Sequence, residues 1–582
     1  MPPSSFIAAE DPIMARESQV LGRPGRGYHA LLLVMLTGSA LAQSANPLAG
    51  ALHTSLEDPG LNPWMQPLLQ CMHAPADYDL DLDMGFINTD YACAIDQAGV
   101  HFNTQTVQPT QADAARLTLA LAGQCAQLAS TRILAGASRN TVAELRALLP
   151  DTGPDPIVQI GKSRRGWTNP ATHAKVFQLG NGRDLYFTVH GSLNLQTVGM
   201  TCKANNAMRF VETRPELYSR FTQLASAVQA GSGQAKFGDG AGSENGSGSD
   251  IGPVRIGNYS VQFYGGRADE FVGGDLVSVA RDFPGNINPP MAGQHPPGLV
   301  NWYDNVLYDA ARQLRQGRDV RIDVMIFEIG QQNAFVLNLW KFVQQGFGAG
   351  RTEDKRSDER VAAPFPGKLH VRFLWQFQAG LQLSGPTFAA LHGADVVESP
   401  GGQYRLEKAT TWNPPHTAGG RYRPTTPYDM HNKVMLLDVV GHEHERRIYV
   451  TSSNLDQPGV GSGRLWQAGT IVSAGAGPGA WSNATRGAPS LWNAYHRYFG
   501  MLWDNRDGQP ASGQIAFYER IASEHLRGAV NWIETVGTAG GAQGQPREGI
   551  DAYFYPMPLL VTRDASGSAV PQAGLAAGGA AR

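Results

Sequence analysis

The chain lacks a surplus of either charge. Its 582 residues carry 47 Lys and Arg against 50 Asp and Glu, for a formal net charge of -3. Binding nucleic acid regardless of sequence rests on excess Lys and Arg that displace counterions from the phosphate backbone. The composition therefore excludes a generic polyanion binder and leaves room only for a local basic groove. Cysteine is scarce, limited to Cys71, Cys93, Cys125 and Cys202, and none of the spacings is a zinc-ligand pattern. Beyond residue 42 no apolar run is long enough to cross a bilayer as a helix. The length suffices for two or more domains with cores of their own.

What is present near the N-terminus is an export address. Arg23 and Arg26 precede the apolar run Ala30 to Leu36, and Ala40-Leu41-Ala42 has the small-residue form of a signal-peptidase site. Residues 1–42 are therefore expected to be a signal peptide, with Gln43 opening the mature chain and a secreted or periplasmic destination. An even number of cysteines in an exported chain favours disulfides. Of the three connectivities, Cys71–Cys93 with Cys125–Cys202 keeps one loop short and is the pairing expected.

Residues 43 to about 108, rich in Asn, Asp, Pro and Gly, read as loops. Thr110 to Asp113 has capping-box form ahead of an Ala- and Leu-rich helix, and Thr141 to Leu149 reads as a second helix. From Gly231 to Gly252 the composition is almost entirely small and polar, which marks a linker. Beyond it, strand patterns at 260–264, 320–329 and 369–375 alternate with helical patterns at 299–314 and 334–343, an α/β arrangement with a mixed sheet. Further helices are expected at 491–503 and within 515–532, and an Ala- and Gly-rich, disordered tail from about Ala565.

Within this frame one pattern occurs twice. His173-Ala-Lys175 is followed by Gly191-Ser192-Leu193-Asn194, and His431-Asn432-Lys433 by Thr451-Ser452-Ser453-Asn454. In each copy the gap reads as a hairpin: Val176 to Leu179 with Leu185 to Val189 around Gly180-Asn181-Gly182, and Val434 to Leu437 with Arg447 to Val450 around a polar turn. Antiparallel pairing returns the Ser-x-Asn end to the His-x-Lys end. Each copy thus offers an imidazole, a cation, an amide and a hydroxyl, the groups needed to stabilise a transferring phosphoryl group. Two half-sites point to one shared site.

The second copy, His431-x-Lys433-x4-Asp438 with Ser452-x-Asn454, resembles the signature of the phospholipase D superfamily, and the first matches it except that Gly180 stands where the family has Asp. The resemblance spans about residues 110 to 505. It implies two similar lobes, each a mixed β-sheet flanked by helices, sharing a central active site. They would correspond to residues 43–230 and 254–540, separated by the 231–253 linker and followed by an extension at 541–582. It further implies phosphodiester chemistry without metal or cofactor. His173 would be the nucleophile and His431 the general acid. Lys175, Lys433, Asn194 and Asn454 would hold the phosphate oxygens. Asp438 would be part of the catalytic set, Ser192 and Ser452 would support the site beside the substrate, and Asp184 would stand in for the Asp missing at Gly180. The two imidazoles are expected to titrate apart.

A phospholipid substrate met at a membrane surface by a monomer is the first expectation, and phosphatidic acid the product. A secreted endonuclease of the same superfamily and a non-catalytic phosphate-binding protein are the alternatives. His442, Glu443 and His444 read as a solvated turn in preference to a metal site. Lys162, Arg164 and Arg165 ahead of Trp167 suit either a phosphate grip or a solvated loop. Trp412, Tyr422 and Tyr428, just before the second copy, suit either a site mouth or packing.

Overall fold

The computed structural model describes residues between 60 and 570, including the unbroken blocks 171–230, 253–267, 305–329, 386–411, 429–455 and 490–506. The proposed signal peptide, Thr110 to Asp113, Arg164, Arg165, Trp412, Tyr422 and Tyr428 lie outside the described residues.

Two large mixed sheets carry the fold. Each places a motif strand, Lys175–Gly180 or Lys433–Val439, between two antiparallel neighbours. One neighbour is the hairpin partner, Tyr186–Gly191 or Arg447–Thr451. The other is Asp79–Met84 or Val320–Ile329. Outside the latter run two parallel strands, Arg132–Ala135 and Ile157–Gln159 in one sheet, Leu369–Gln378 and Tyr404–Thr410 in the other. The internal repeat seen in the motifs therefore extends to strand order and direction.

Period-two alternation explains how buried strands serve two layers. In the second motif strand Val434 and Leu436 face a central core, while Met435, Leu437 and Val439 face an outer one with the helices Asn305–Arg315 and Ala334–Gln345. In the first, Val176 joins the same central core, and Phe177 and Leu179 pack outward with the helices Met65–His73 and Ala114–Cys125. The central core, which also takes in the helices Glu216–Ala230 and Leu491–Asp504, joins the two sheets. The motif strands thus lie on either side of one apolar layer, with their His-bearing ends at the seam.

Several expectations are corrected. The stretch read as loops contains the strands Asp79–Met84, Tyr91–Asp96 and Gly99–Thr106. Aspartate is depleted in strands, yet Asp81 is held by Arg132 from the neighbouring strand, with Nε to Oδ1 at 3.0 Å. Cys71 is bonded to Cys125, not to Cys93, because the helices bearing the two residues pack together while Cys93 leaves on a strand of a separate four-stranded sheet. Cys202 is also disulfide-bonded. Within the proposed linker Lys236–Gly238 pairs with Tyr264–Gly266. The helix expected within 515–532 is present at 517–521, and Trp532–Ile533 is a strand.

Described strands beyond residue 540 join the sheets. Gly549–Phe554 pairs along its whole length with Asn206–Glu212 in the first sheet, and Ala569–Val570 pairs with Thr562 and Arg563. Arg209 and Asp551, both fully buried, fasten the former junction, with Nε to Oδ2 at 2.8 Å.

Candidate active site

The two copies of the motif meet, and each is fastened by the other. Thr172, just before the first histidine, pairs in parallel with Trp466 of the second lobe, and the His173 N–H donates to the Trp466 carbonyl at 2.8 Å. Met430, just before the second, bridges in parallel to Ala204 of the first lobe, and the His431 N–H donates to the Ala204 carbonyl at 2.8 Å. The residue after each of these carbonyls supplies the brace. His173 Nδ1 lies 3.2 Å from Gln467 Oε1. His431 Nδ1 lies 3.0 Å from Asn205 Oδ1 and 3.0 Å from the Ser192 carbonyl. Oxygens that can only accept put the proton on Nδ1 in both rings, so Nε2 carries the lone pair.

The serines complete the braces. Ser192 Oγ donates to Asn205 Oδ1 at 3.0 Å, and Ser452 Oγ donates to Gln467 Oε1 at 3.0 Å. Both serines are fully buried. They orient the amides that orient the imidazoles, and so act at one remove from any substrate. Lys175 and Lys433 fold back onto their own histidines' carbonyls, with Nζ to O at 2.7 and 2.9 Å. Asn454 Nδ2 donates to Glu328 Oε2 at 2.8 Å. The side-chain oxygens of Asn194 and Asn454 are buried without a partner among the described residues. A buried amide left partly unpaired weakens a fold.

Electrostatics push both imidazoles the same way. Burial holds His173 well below its ordinary range, with the Lys175 and Lys433 charges adding to the shift. Burial does the same to His431, followed by Lys433, Lys203, Lys175 and His173. For His173 the hydrogen bonds to Gln467 and to the Ser452 backbone act the other way, and burial and the lysines outweigh them.

Asp438 is not at this site. It sits near the far end of the second motif strand, where Arg446 Nε donates to its Oδ1 at 2.8 Å. At the matching station Gly180 leaves no room for a side chain: a Cβ there would lie 2.8 Å from Tyr186 Cδ1 and 3.2 Å from the Tyr218 ring. Asp184 does not compensate, since it lies in the hairpin turn and accepts from Asn181 Nδ2 at 3.0 Å. The first copy's departure from the signature therefore leaves the paired histidines intact. His442 and His444 lie on the turn beyond Asp438, with His444 exposed and Glu445 3.8 Å away. Lys162–Ser163 and Gly166–Trp167 form a small two-stranded sheet of their own.

No protein-family model matches the sequence, and no curated protein does. Among solved structures the chain is similar to a polyphosphate kinase from Porphyromonas gingivalis, with a TM-score of 0.35 and 10% identity over 79% of this chain and 51% of that one. It is similar also to a mutant of yeast tyrosyl-DNA phosphodiesterase, with a TM-score of 0.28 and 10% identity over 68% and 87% of the respective chains. These likenesses are distant. The chain spans about half the length of the polyphosphate kinase.

Sequence reasoning missed Asn205, Gln467, Phe327 and Glu328. The first two had a signal. An amide follows Ser192 by 13 residues and Ser452 by 15, so continuing the repeat past the Ser-x-Asn element reaches both.

Proposed function

We propose that the protein is an exported phosphodiesterase of the phospholipase D superfamily, hydrolysing a phospholipid to phosphatidic acid and its headgroup alcohol. The observation that carries this reading is the reciprocal bracing of His173 and His431, which turns two distant His-x-Lys elements into one site with two Nε2 lone pairs, two cations and two site amides. His173 Nε2 attacks phosphorus. As the N–P bond forms, the bond to the headgroup oxygen breaks, and that oxygen takes the proton carried by His431 Nε2. Water then attacks the phosphohistidine, gives its proton to His431 Nε2, and the N–P bond breaks to restore His173. Lys175 and Lys433 offset the charge on the non-bridging oxygens, and Asn194 and Asn454 hydrogen-bond to them. A phosphodiester anion between the two lysines also favours the protonated form of His431 that the first step needs.

Lipid is favoured over nucleic acid by the near-neutral charge balance and by the Glu328 carboxylate at the site amide, which opposes a run of phosphates. The disulfide between Cys71 and Cys125 fits an oxidising compartment. The test is incubation of the purified protein with phosphatidylcholine vesicles and, separately, with plasmid DNA, both with EDTA. Choline release without strand breaks is expected. Nicked DNA alone would make the protein a nuclease, and neither product would make it a binding protein. His431→Ala should lower turnover about a hundred- to ten-thousand-fold and His173→Ala should abolish it, both with unchanged circular dichroism.

A further inference from the structure

The two lobes differ at a pair of stations beneath the histidines. In the first lobe Asp83 pairs with Leu134 and Val176, both of the central core, and Thr172 immediately precedes His173. In the second the same registers set Met325 against Leu374 and Val434, and Met430 immediately precedes His431. Both methionines belong to that apolar core. The first lobe thus has a carboxyl group and a hydroxyl where the second has two thioethers, and all four side chains are buried.

Burying an ionised carboxylate costs a great deal unless it is paired. Neither Asp83 oxygen has a well-formed hydrogen bond among the described residues, and the Thr172 hydroxyl is the donor that acts on it. The charges around it divide. Arg132 and Lys175 favour ionisation and Asp81 opposes it, while Arg132 already donates to Asp81. Tyr218, on the Glu216–Ala230 helix, faces Asp81 and Arg132, and His190, beyond Val176 in the same row, is held uncharged by its burial. Burial decides the matter for Asp83 and pushes its carboxyl up to about 7. Thr172 in turn reaches across His173, its Oγ accepting from the Ala174 N–H at 3.1 Å and its own proton left for Asp83. We propose that Asp83 is a positioning residue for His173, acting through Thr172 on the turn that presents the imidazole. It acts as the neutral acid, and ionisation places a negative charge in the apolar seam and loosens that turn. This inference rests on the reading of His173 as the nucleophile.

Asp83→Asn tests it, because the amide keeps the shape of the neutral acid and an acceptor for Thr172 but cannot ionise. With bis(p-nitrophenyl) phosphate as the soluble diester, log kcat/KM of the wild type should fall more steeply above about pH 7 than that of the variant, since loss of the Asp83 proton adds to that of His431. One pH unit higher the variant should be faster by about tenfold. A double variant, Asp83→Met with Thr172→Met, installs the second lobe's pair and should show the same shallow limb if the first variant does not fold. A limb as steep as the wild type's in the folded variant overturns the proposal, as does a change equal at every pH, the mark of a merely structural role. Nitrogen NMR of isotope-labelled histidine needs no turnover. The His173 resonance, identified by its loss in His173→Ala, should shift near pH 7 in the wild type and stay in place in Asp83→Asn. That result sustains the action of Asp83 on His173 even if no phosphodiester is cleaved. A resonance that does not move in the wild type overturns it, even if turnover is found.

Discussion

At the residue scale the unusual feature is that both imidazoles are braced by neutral amides. Catalysis through the free enzyme needs His173 neutral and His431 protonated. Burial and the surrounding lysines lower both groups, so the proton on His431 is lost as pH rises even before the ordinary histidine range is reached. The optimum of kcat/KM on a soluble diester is accordingly expected below pH 6.5, the ordinary value of a histidine side chain. Gln467→Glu gives His173 a carboxylate partner and raises its pKa. Protonated His173 cannot attack, so the acidic limb of the profile should move up by roughly one to three units; a limb that stays in place would mean Gln467 does not brace the nucleophile. The His-x-Lys and Ser-x-Asn residues were legible in the sequence because they are local and repeated. The braces were not, because each comes from the opposite lobe: Gln467 lies 294 residues from His173, and Asn205 lies 226 from His431.

At the scale of the element, the two hairpins show how far a signature can be trusted position by position. The turn of the first is built by Asn181, whose Oδ1 accepts from the N–H groups of Arg183, Asp184 and Leu185, each at 3.0 Å. That composition was readable as a turn. The meaning of Gly180 was not, because its neighbours Tyr186 and Tyr218 come from the partner strand and from a helix. Restoring the signature with Gly180→Asp is expected to lower stability by about 1–3 kcal/mol through overpacking and to leave turnover no higher; thermal melts and kcat would show it. The strand Asp79–Met84 was missed for a related reason. Its alternation of Asp with Leu and Met has period two, and it was outweighed by aspartate's poor strand propensity, although Asp81 finds Arg132 across the sheet.

For the whole molecule, the α/β class and the alternation beyond residue 254 were legible, since the apolar runs are long and regular. The return of the chain to its first sheet was not, because short strands near the end carry no mark of which sheet they join. Its energetic centre is Arg209 with Asp551, both fully buried. Removing one member of such a pair strands the other charge, so Asp551→Ala should cost about 3–5 kcal/mol in chemical denaturation. Unfolding monitored at both lobes would test whether the central core makes them one cooperative unit, with coincident transitions expected.

That returning strand also sets a timetable. Chains emerge from the ribosome N-terminus first, yet the first sheet lacks Gly549–Phe554 until residue 554 has been made. The early lobe stays unfinished throughout most of synthesis.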